Sequence, residues 1–262
     1  DILVRVKVYN RSDHDASIIV LPTMWYRNNW KWGYNEYKGQ LEHDSDGQIN
    51  INHDSLGIKK FYSKNKNAQS LFCDNETNNP KIYGTPEVEN AFYKDGINDF
   101  IIHQTNTVNP EKRGTKAAFM IDEIVKAGSS EIFEFRLSPH DMDDAFYDFD
   151  DIFNTRIAEA NEFYEEIQQD VLNDDEKNVQ RQAFAGLLWN KQFYHYNVGK
   201  WLKGDANYVG GRDFNNYVRN TEWEHLHNKD IISMPDKWEY PWYATWDLAF
   251  HCVPYAIIDG DF

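Results

Sequence analysis

The chain has 262 residues, 41% of them hydrophobic, which is enough for one large domain or two ordinary ones. Its formal net charge is −16. Proteins that bind nucleic acid need a basic surface to displace counterions, and an anionic membrane repels an acidic chain, so neither partner is expected. The two cysteines, Cys73 and Cys252, form neither a disulfide framework nor a zinc pattern, and they favour a reducing, cytoplasmic location.

The first half of the chain has the two-residue alternation that is typical of β-strands. In residues 1–10, Ile2, Val4 and Val6 fall on one face, and Arg5 falls on the other. Further strands, separated by clusters of Gly, Asn and Asp, are predicted at residues 17–22, 47–52, 58–63, 98–103 and 131–139. Short strands with turn residues between them predict an antiparallel β-sandwich.

The spacing of the apolar residues changes after about Asp141. Residues 150–172 carry an apolar stripe at helical spacing, and residues 174–202 predict a second, longer helix. A third helix is predicted to begin near Tyr243. The polar segment 203–241 lies between the last two helices, and a loop of that length in a compact domain is usually functional or disordered.

Asp247 stands out because a carboxylate opens an apolar helix next to several aromatic residues. The positive end of a helix stabilises a carboxylate, whereas apolar neighbours disfavour the charged form, as a general acid requires. The alternative is a helix-capping Asp with no chemical role. His251 lies four residues further on the same predicted helix face, where it would orient Asp247 or a ligand, or serve as a core residue.

A second group of polar residues, Glu222, Glu224, His225 and His227, suggests a metal site. Its spacing fits neither the helical HExxH pair nor a Cys/His zinc site, so no metal is predicted. The sequence also contains neither a phosphate-binding glycine loop nor the GxSxG turn of serine hydrolases. No cofactor is expected.

The stretch YPWYATWDLAFH, residues 240–251, resembles the Trp-Asp motif of a glycoside hydrolase clan. That clan contains the processing α-glucosidases of family 63 and bacterial mannosylglycerate and glucosylglycerate hydrolases, and the likeness is nearest to large bacterial "glucosidase" proteins. The resemblance runs nearly from end to end. It is carried further by residues 21–33, 71–84, 108–119, 181–202 and 219–242.

The resemblance implies an α+β multidomain fold, with an N-terminal antiparallel β-sandwich over residues 1–142 that lacks its first strands. Residues 143–262 would then form the first helices of an (α/α)6 barrel, truncated here and completed by the remainder of the same polypeptide. The activity implied is that of an inverting α-glycoside hydrolase acting on a small sugar or oligosaccharide. Asp247 would be the general acid, and a Glu beyond residue 262 would be the general base, so this fragment alone would be inactive.

The resemblance also implies that the loop 234–243 lines the sugar pocket. Aromatic residues make up 16% of the chain, and an aromatic ring offers a flat apolar face to a pyranose. The residues expected to contact the sugar are Tyr240, Trp242, Tyr243 and Trp246, with Lys237 and Asp236 at its hydroxyl groups. Packing at the barrel rim is the alternative for Trp238 and Trp242.

Two other functions remain open from the sequence. One is a carbohydrate-binding or catalytically incompetent fragment that keeps part of the sugar pocket without turnover. The other is a structural fragment whose aromatic residues serve only to fill the core.

Overall fold

The computed structural model describes residues 1–32, 37–171, 173–204 and 219–262. The chain divides into two compact units, which we call the N-terminal unit, Asp1–Phe153, and the C-terminal unit, Asn154–Phe262. The division falls inside a helix, whereas the predicted boundary stands between residues 142 and 143. Within the described residues, none of the helices has both the length and the apolar character that crossing a membrane needs.

The N-terminal unit consists mainly of antiparallel strands. Its strands are β1 Ile2–Tyr9, β2 Ala16–Val20, β3 Thr23–Trp25, β4 Gln40–Ser45, β5 Gln48–His53, β6 Gly57–Ser63, β7 Gln69–Cys73, β8 Arg113–Gly114, β9 Lys116–Val125 and β10 Ser130–Ser138. Its helices are α1 Asn79–Tyr83 and α2 Gly96–His103. One sheet has the order β1-β10-β6-β5-β4-β8, and in the other β9 pairs with β2, β3 and β7.

Both sheets of the N-terminal unit contribute to one hydrophobic core. Alternation along β10 directs Phe133 and Phe135 inward, where Phe61 lies 6.2 Å from Phe135 between ring centroids. Phe119 of β9 meets Phe61 from the other sheet at 5.2 Å. Phe72 of β7 is also fully buried in this cluster. Burying several aromatic rings in one place makes a large apolar contribution to the stability of this unit.

Two charged residues of β10, Glu134 and Arg136, are also buried, and both have charged partners. Arg5 donates from Nε to Glu134 at 2.6 Å, and Lys64 binds the other carboxylate oxygen at 2.5 Å. Arg136 binds the carboxylates of Asp1 and Asp148 and donates to the carbonyl oxygen of Ala145 at 3.0 Å. A buried charge is tolerated only when it is paired and hydrogen-bonded in this way.

The C-terminal unit combines helices with one antiparallel ribbon. Helix α3, Phe149–Ile167, begins before the division between the two units and ends after it. The elements that follow are α4 Asp174–Trp189, β11 Lys191–Asn197, α5 Val198–Lys203, β12 His227–Ser233 and α6 Thr245–Ile258. Strands β11 and β12 form a two-stranded ribbon. Tyr164, Phe184, Tyr255 and Ile258 form one small buried cluster, and Ile232, Met234 and Ala244 form another.

The predicted fold class is wrong. Across its described residues the protein is mostly β, with twelve strands in antiparallel sheets and six α-helices, and residues 143–262 do not form the start of an (α/α)6 barrel. The helix predicted over residues 174–202 ends at Trp189, and β11 follows it. The aromatic run Phe193–Tyr196 favours a strand at this position. Helix α4 ends at Asn190, whose backbone N–H donates to the carbonyl oxygen of Gly186.

Two smaller predictions also need correction. Residues 98–103 form the end of α2 rather than a strand, because Ile97, Phe100 and Ile101 have helical spacing and pack against Leu71. The loop predicted over residues 203–241 contains β12, which pairs with β11. Residues 205–218 of that loop lie outside the described part of the chain.

Candidate functional site

Helix α6 positions Asp247, the residue for which the sequence predicts an acid role. The helix begins at Thr245, and the Leu248 N–H donates to the carbonyl oxygen of Ala244, which occupies the N-cap position. Ala244 has no side-chain oxygen, so the helix start has no side-chain cap. Asp247 therefore lies inside the first turn and is not the capping residue. The backbone N–H groups of a first helical turn carry partial positive charge, which favours an acidic residue at this position.

The Asp247 carboxylate has one oxygen, Oδ2, that is buried and accepts no hydrogen bond from the described residues. Most buried polar atoms in folded proteins have a partner, because an unpaired one costs about 1–3 kcal/mol. Asn28 Oδ1 and Gln180 Oε1 are buried without a partner in the same way, and atoms of this kind are satisfied either by a bound water or by a ligand. The side chain as a whole is half-buried, so part of the group reaches solvent.

His251 lies one helical turn after Asp247 and is anchored to the neighbouring ribbon. Its Nδ1 is 2.8 Å from Oγ of Ser233, which is fully buried at the end of β12. This contact fixes the plane and direction of the imidazole ring. Sequence reasoning identified His251 but missed Ser233, because nothing local marks a serine at a strand end as the partner of a histidine eighteen residues later.

The predicted sugar-contacting aromatics separate into two groups. Tyr240 packs against the cluster of Ile232 and Met234, and its ring centroid lies 5.3 Å from that of Trp242. Trp246 points outward from α6 and is 74% exposed. Tyr243 lies at the margin of the cluster. Tyr240 therefore has a packing role, whereas Trp242 and Trp246 leave ring surface available to a ligand.

The predicted polar contacts, Asp236 and Lys237, are engaged in local structure. Asp236 Oδ1 accepts from the N–H groups of Trp238 and Glu239, both at 2.6 Å, which closes a turn. The Lys237 ammonium donates to the carbonyl oxygen of Trp189 at 3.2 Å. Their first role is to shape the loop before α6, and a bound sugar would compete with these bonds.

The polar group at residues 222–227 is not gathered into a metal centre. Thr221–Trp223 forms a 3-10 turn, the His225 ring lies 5.6 Å from the Trp223 ring, and His227 belongs to β12. Within the described residues there is no group of three or more His, Cys, Asp or Glu side chains that could hold a metal ion. His227 instead meets His195 of β11, a contact that the sequence analysis did not identify.

No family model matches the chain. The sequence is similar to the Uncharacterized protein YMR196W of Saccharomyces cerevisiae, with 34% identity over 297 residues. The match covers 98% of this chain and 27% of the yeast protein. The chain therefore spans about a quarter of the length of the curated relative that it matches.

Proposed function

We propose that this chain belongs to an inverting α-glycoside hydrolase and that it carries the general acid, Asp247. The proposed substrate is a small sugar or oligosaccharide with an α-linked glucose or mannose. The observation that supports this proposal best is the buried, unpartnered Oδ2 of Asp247, together with the exposed ring of Trp246 in the same helical turn.

The proposed proton-donating role rests on the buried Oδ2 of Asp247, which has no hydrogen-bond partner among the described residues. A protonated carboxyl needs an acceptor, and the glycosidic oxygen of a bound sugar would provide one at the leaving group.

Inversion requires a second carboxylate, about 6.5–9.5 Å from the first, to activate water. The yeast relative is far longer than the matched region, since the match covers 27% of it. We place the general base in the corresponding further part of a longer polypeptide. That further part would be the partner that completes the sugar site, and the unit described here would not turn over substrate alone.

The proposed sugar subsite uses ring faces that the fold leaves exposed. Trp242 and Trp246 flank the start of α6, and Trp238 in the preceding loop is 91% exposed. An aromatic face against a pyranose excludes water from apolar C–H groups without fixing one sugar identity. A cytoplasmic location completes the proposal, because Cys73 and Cys252 are both free thiols.

The test uses the longest natural polypeptide that carries this sequence. It is assayed against a panel of α-glucosides, α-mannosides and glycosylglycerates, beside its Asp247→Asn and Glu239→Gln variants. Glu239 is an exposed carboxylate in the same loop, so Glu239→Gln is the matched control. We expect kcat of Asp247→Asn to fall by about 100-fold or more with unchanged thermal unfolding, and Glu239→Gln to keep its activity.

Two results would contradict the proposal in different ways. Equal activity of Asp247→Asn and the parent protein would remove the acid role from Asp247. Binding of a sugar by the parent, with no turnover of any substrate in the panel, would favour the carbohydrate-binding alternative.

A further inference from the structure

The β11–β12 ribbon brings two exposed histidines together on one face. Asn197 lies opposite His227, and His195 lies opposite Lys229, so the two histidines are diagonal neighbours across the ribbon. Their Nε2 atoms are 3.0 Å apart, with the ring centroids 5.2 Å apart and the ring planes inclined by 30°. Both side chains are exposed to solvent, and the proposed sugar chemistry uses neither of them.

The two nitrogens are close enough for both imidazoles to bind one metal ion after a small rotation of the exposed rings. Imidazole nitrogens bind first-row divalent metals at about 2.0–2.1 Å. Two nitrogens 3.0 Å apart, each at that distance from one ion, subtend about 94° at the metal. An ideal tetrahedral site would hold them roughly 3.3 Å apart. An angle near 90° is the cis angle of a square-planar, tetragonal or octahedral ion.

We propose that His195 and His227 form a bidentate surface site for a divalent transition metal, with Cu²⁺ preferred. Cu²⁺ binds nitrogen ligands most tightly in the first-row series and adopts square-planar or tetragonal coordination, with water in the remaining positions. The two Nε2 atoms act as neutral donors and lose any proton that they share. Within the described residues no third ligand joins the pair, so the site is open to solvent.

The net negative charge of the chain favours metal binding at this site, whereas the nearby Lys229 opposes it. The chain has a net charge of −16, which raises the local concentration of cations. Lys229, opposite His195, is a nearby positive charge that weakens binding, but its exposed side chain can turn toward solvent. Removing the charge of Lys229 should therefore tighten metal binding, which gives a test that leaves both ligands in place.

The experiment is a titration of the 262-residue chain with CuCl₂ in the presence of glycine as a competing chelator. Calorimetry gives the stoichiometry and affinity, and electron paramagnetic resonance reports the nitrogen ligands. We expect one tight Cu²⁺ per chain. His195→Gln and His227→Gln should each lose about 100-fold in affinity, as expected when a two-point attachment becomes one-point, and the double variant should lose the site altogether.

Two further variants sharpen the outcome. His103→Gln removes an exposed histidine of the N-terminal unit and should leave the tight site unchanged. Lys229→Gln should strengthen binding by about threefold or more. The proposal fails if each single variant loses only a few-fold, if His103→Gln has the same effect, or if Zn²⁺ binds more tightly than Cu²⁺. In the first two cases the histidines form only a cross-strand hydrogen bond, and in the third the pair binds a metal but the preference for Cu²⁺ is wrong.

Discussion

The N-terminal and C-terminal units bury their aromatic residues to different extents. In the N-terminal unit Phe72, Phe119 and Phe135 lie in one continuous cluster formed by both sheets. In the C-terminal unit the buried side chains form two small clusters, while Trp189, Trp238 and Trp246 are all more than 70% exposed. The first arrangement is that of a core that provides stability. The second leaves large apolar surface of the kind that marks binding sites.

Charged residues are also more deeply buried in the N-terminal unit than in the C-terminal unit. Glu134 and Arg136 are buried in the N-terminal unit and are held by several partners each. In the C-terminal unit the ion pair of Lys191 with Asp259 is partly exposed. Exposed pairs contribute about 0–1 kcal/mol, whereas removing one member of a buried pair costs several times more. The N-terminal unit therefore has the more strongly specified interior.

The largest difference between the units should appear in the reactivity of their thiols. Cys73 is 1% exposed in the N-terminal unit, and its burial raises the pKa of the thiol to about 12. At pH 8 such a thiol is ionised in about one molecule in 10,000, so it should react with a disulfide reagent at least about 1000-fold more slowly than an ordinary thiol. Cys252 of α6 is exposed and should react at once.

Spectrophotometric labelling with an aromatic disulfide measures this difference. One fast thiol per chain is expected in the folded protein and two after unfolding. The Cys252→Ser variant should lose the fast phase and keep the slow one. Rapid labelling of two thiols in the folded parent would show that Cys73 is accessible and that the core around β7 opens easily.

The next largest difference should be in the stability lost when one buried phenylalanine of each unit is replaced by alanine. Phe135→Ala removes a fully buried ring from the large cluster and should cost about 3–5 kcal/mol of stability. Phe184→Ala removes a ring from a small cluster, which collapses more easily around the cavity, so its cost should be about 1–2 kcal/mol lower. Amide hydrogen exchange, read on peptides from each unit, measures both changes.

Conservative variants provide the control for this pair. Phe135→Leu and Phe184→Leu keep most of the buried volume and should each cost less than the corresponding alanine variant. An equal loss of protection for the two alanine variants would mean that the small cluster of the C-terminal unit is as tightly packed as the large one.

The smallest expected effect is the pH dependence of one ion pair in the N-terminal unit. The hydrogen bond from Arg136 lowers the pKa of Asp148 below its ordinary value of 3.8. A carboxyl whose pKa is lower in the folded state stabilises the fold at pH values above the unfolded pKa, and this stability disappears as the pH falls through the folded pKa. Asp148→Asn should therefore be less stable than the parent at pH 6.

Urea unfolding of the parent and of Asp148→Asn at pH 6, 4 and 3 measures this contribution. The difference in stability between them should narrow as the pH falls below about 4. Asp143→Asn, which changes an exposed carboxyl of the same segment, should show little pH-dependent difference. A difference for Asp148→Asn that stays constant with pH would mean that its effect comes from packing and not from charge.

The sequence by itself determined the elements whose residues alternate or recur regularly. The two-residue pattern of residues 1–10 and 131–139 predicts β1 and β10, and the stripe over residues 150–172 predicts most of α3. The same reasoning placed Asp247 at the start of a helix. Periodicity succeeds there because it is set by which face of a local element is buried, and near neighbours in the chain carry that information.

Only the tertiary structure decided how distant segments meet. The aromatic residues around Phe193 favour a strand, but pairing with β12 is what completes it, and the helical spacing of Ile97 and Phe100 gives a stable helix because β7 offers an apolar surface. Tertiary structure also decides three features of the C-terminal unit. These are the hydrogen bond between Ser233 and His251, the contact of His195 with His227, and the burial of one Asp247 oxygen. Each depends on side chains that approach across strands or between elements, and no pattern within a short window of sequence specifies that approach.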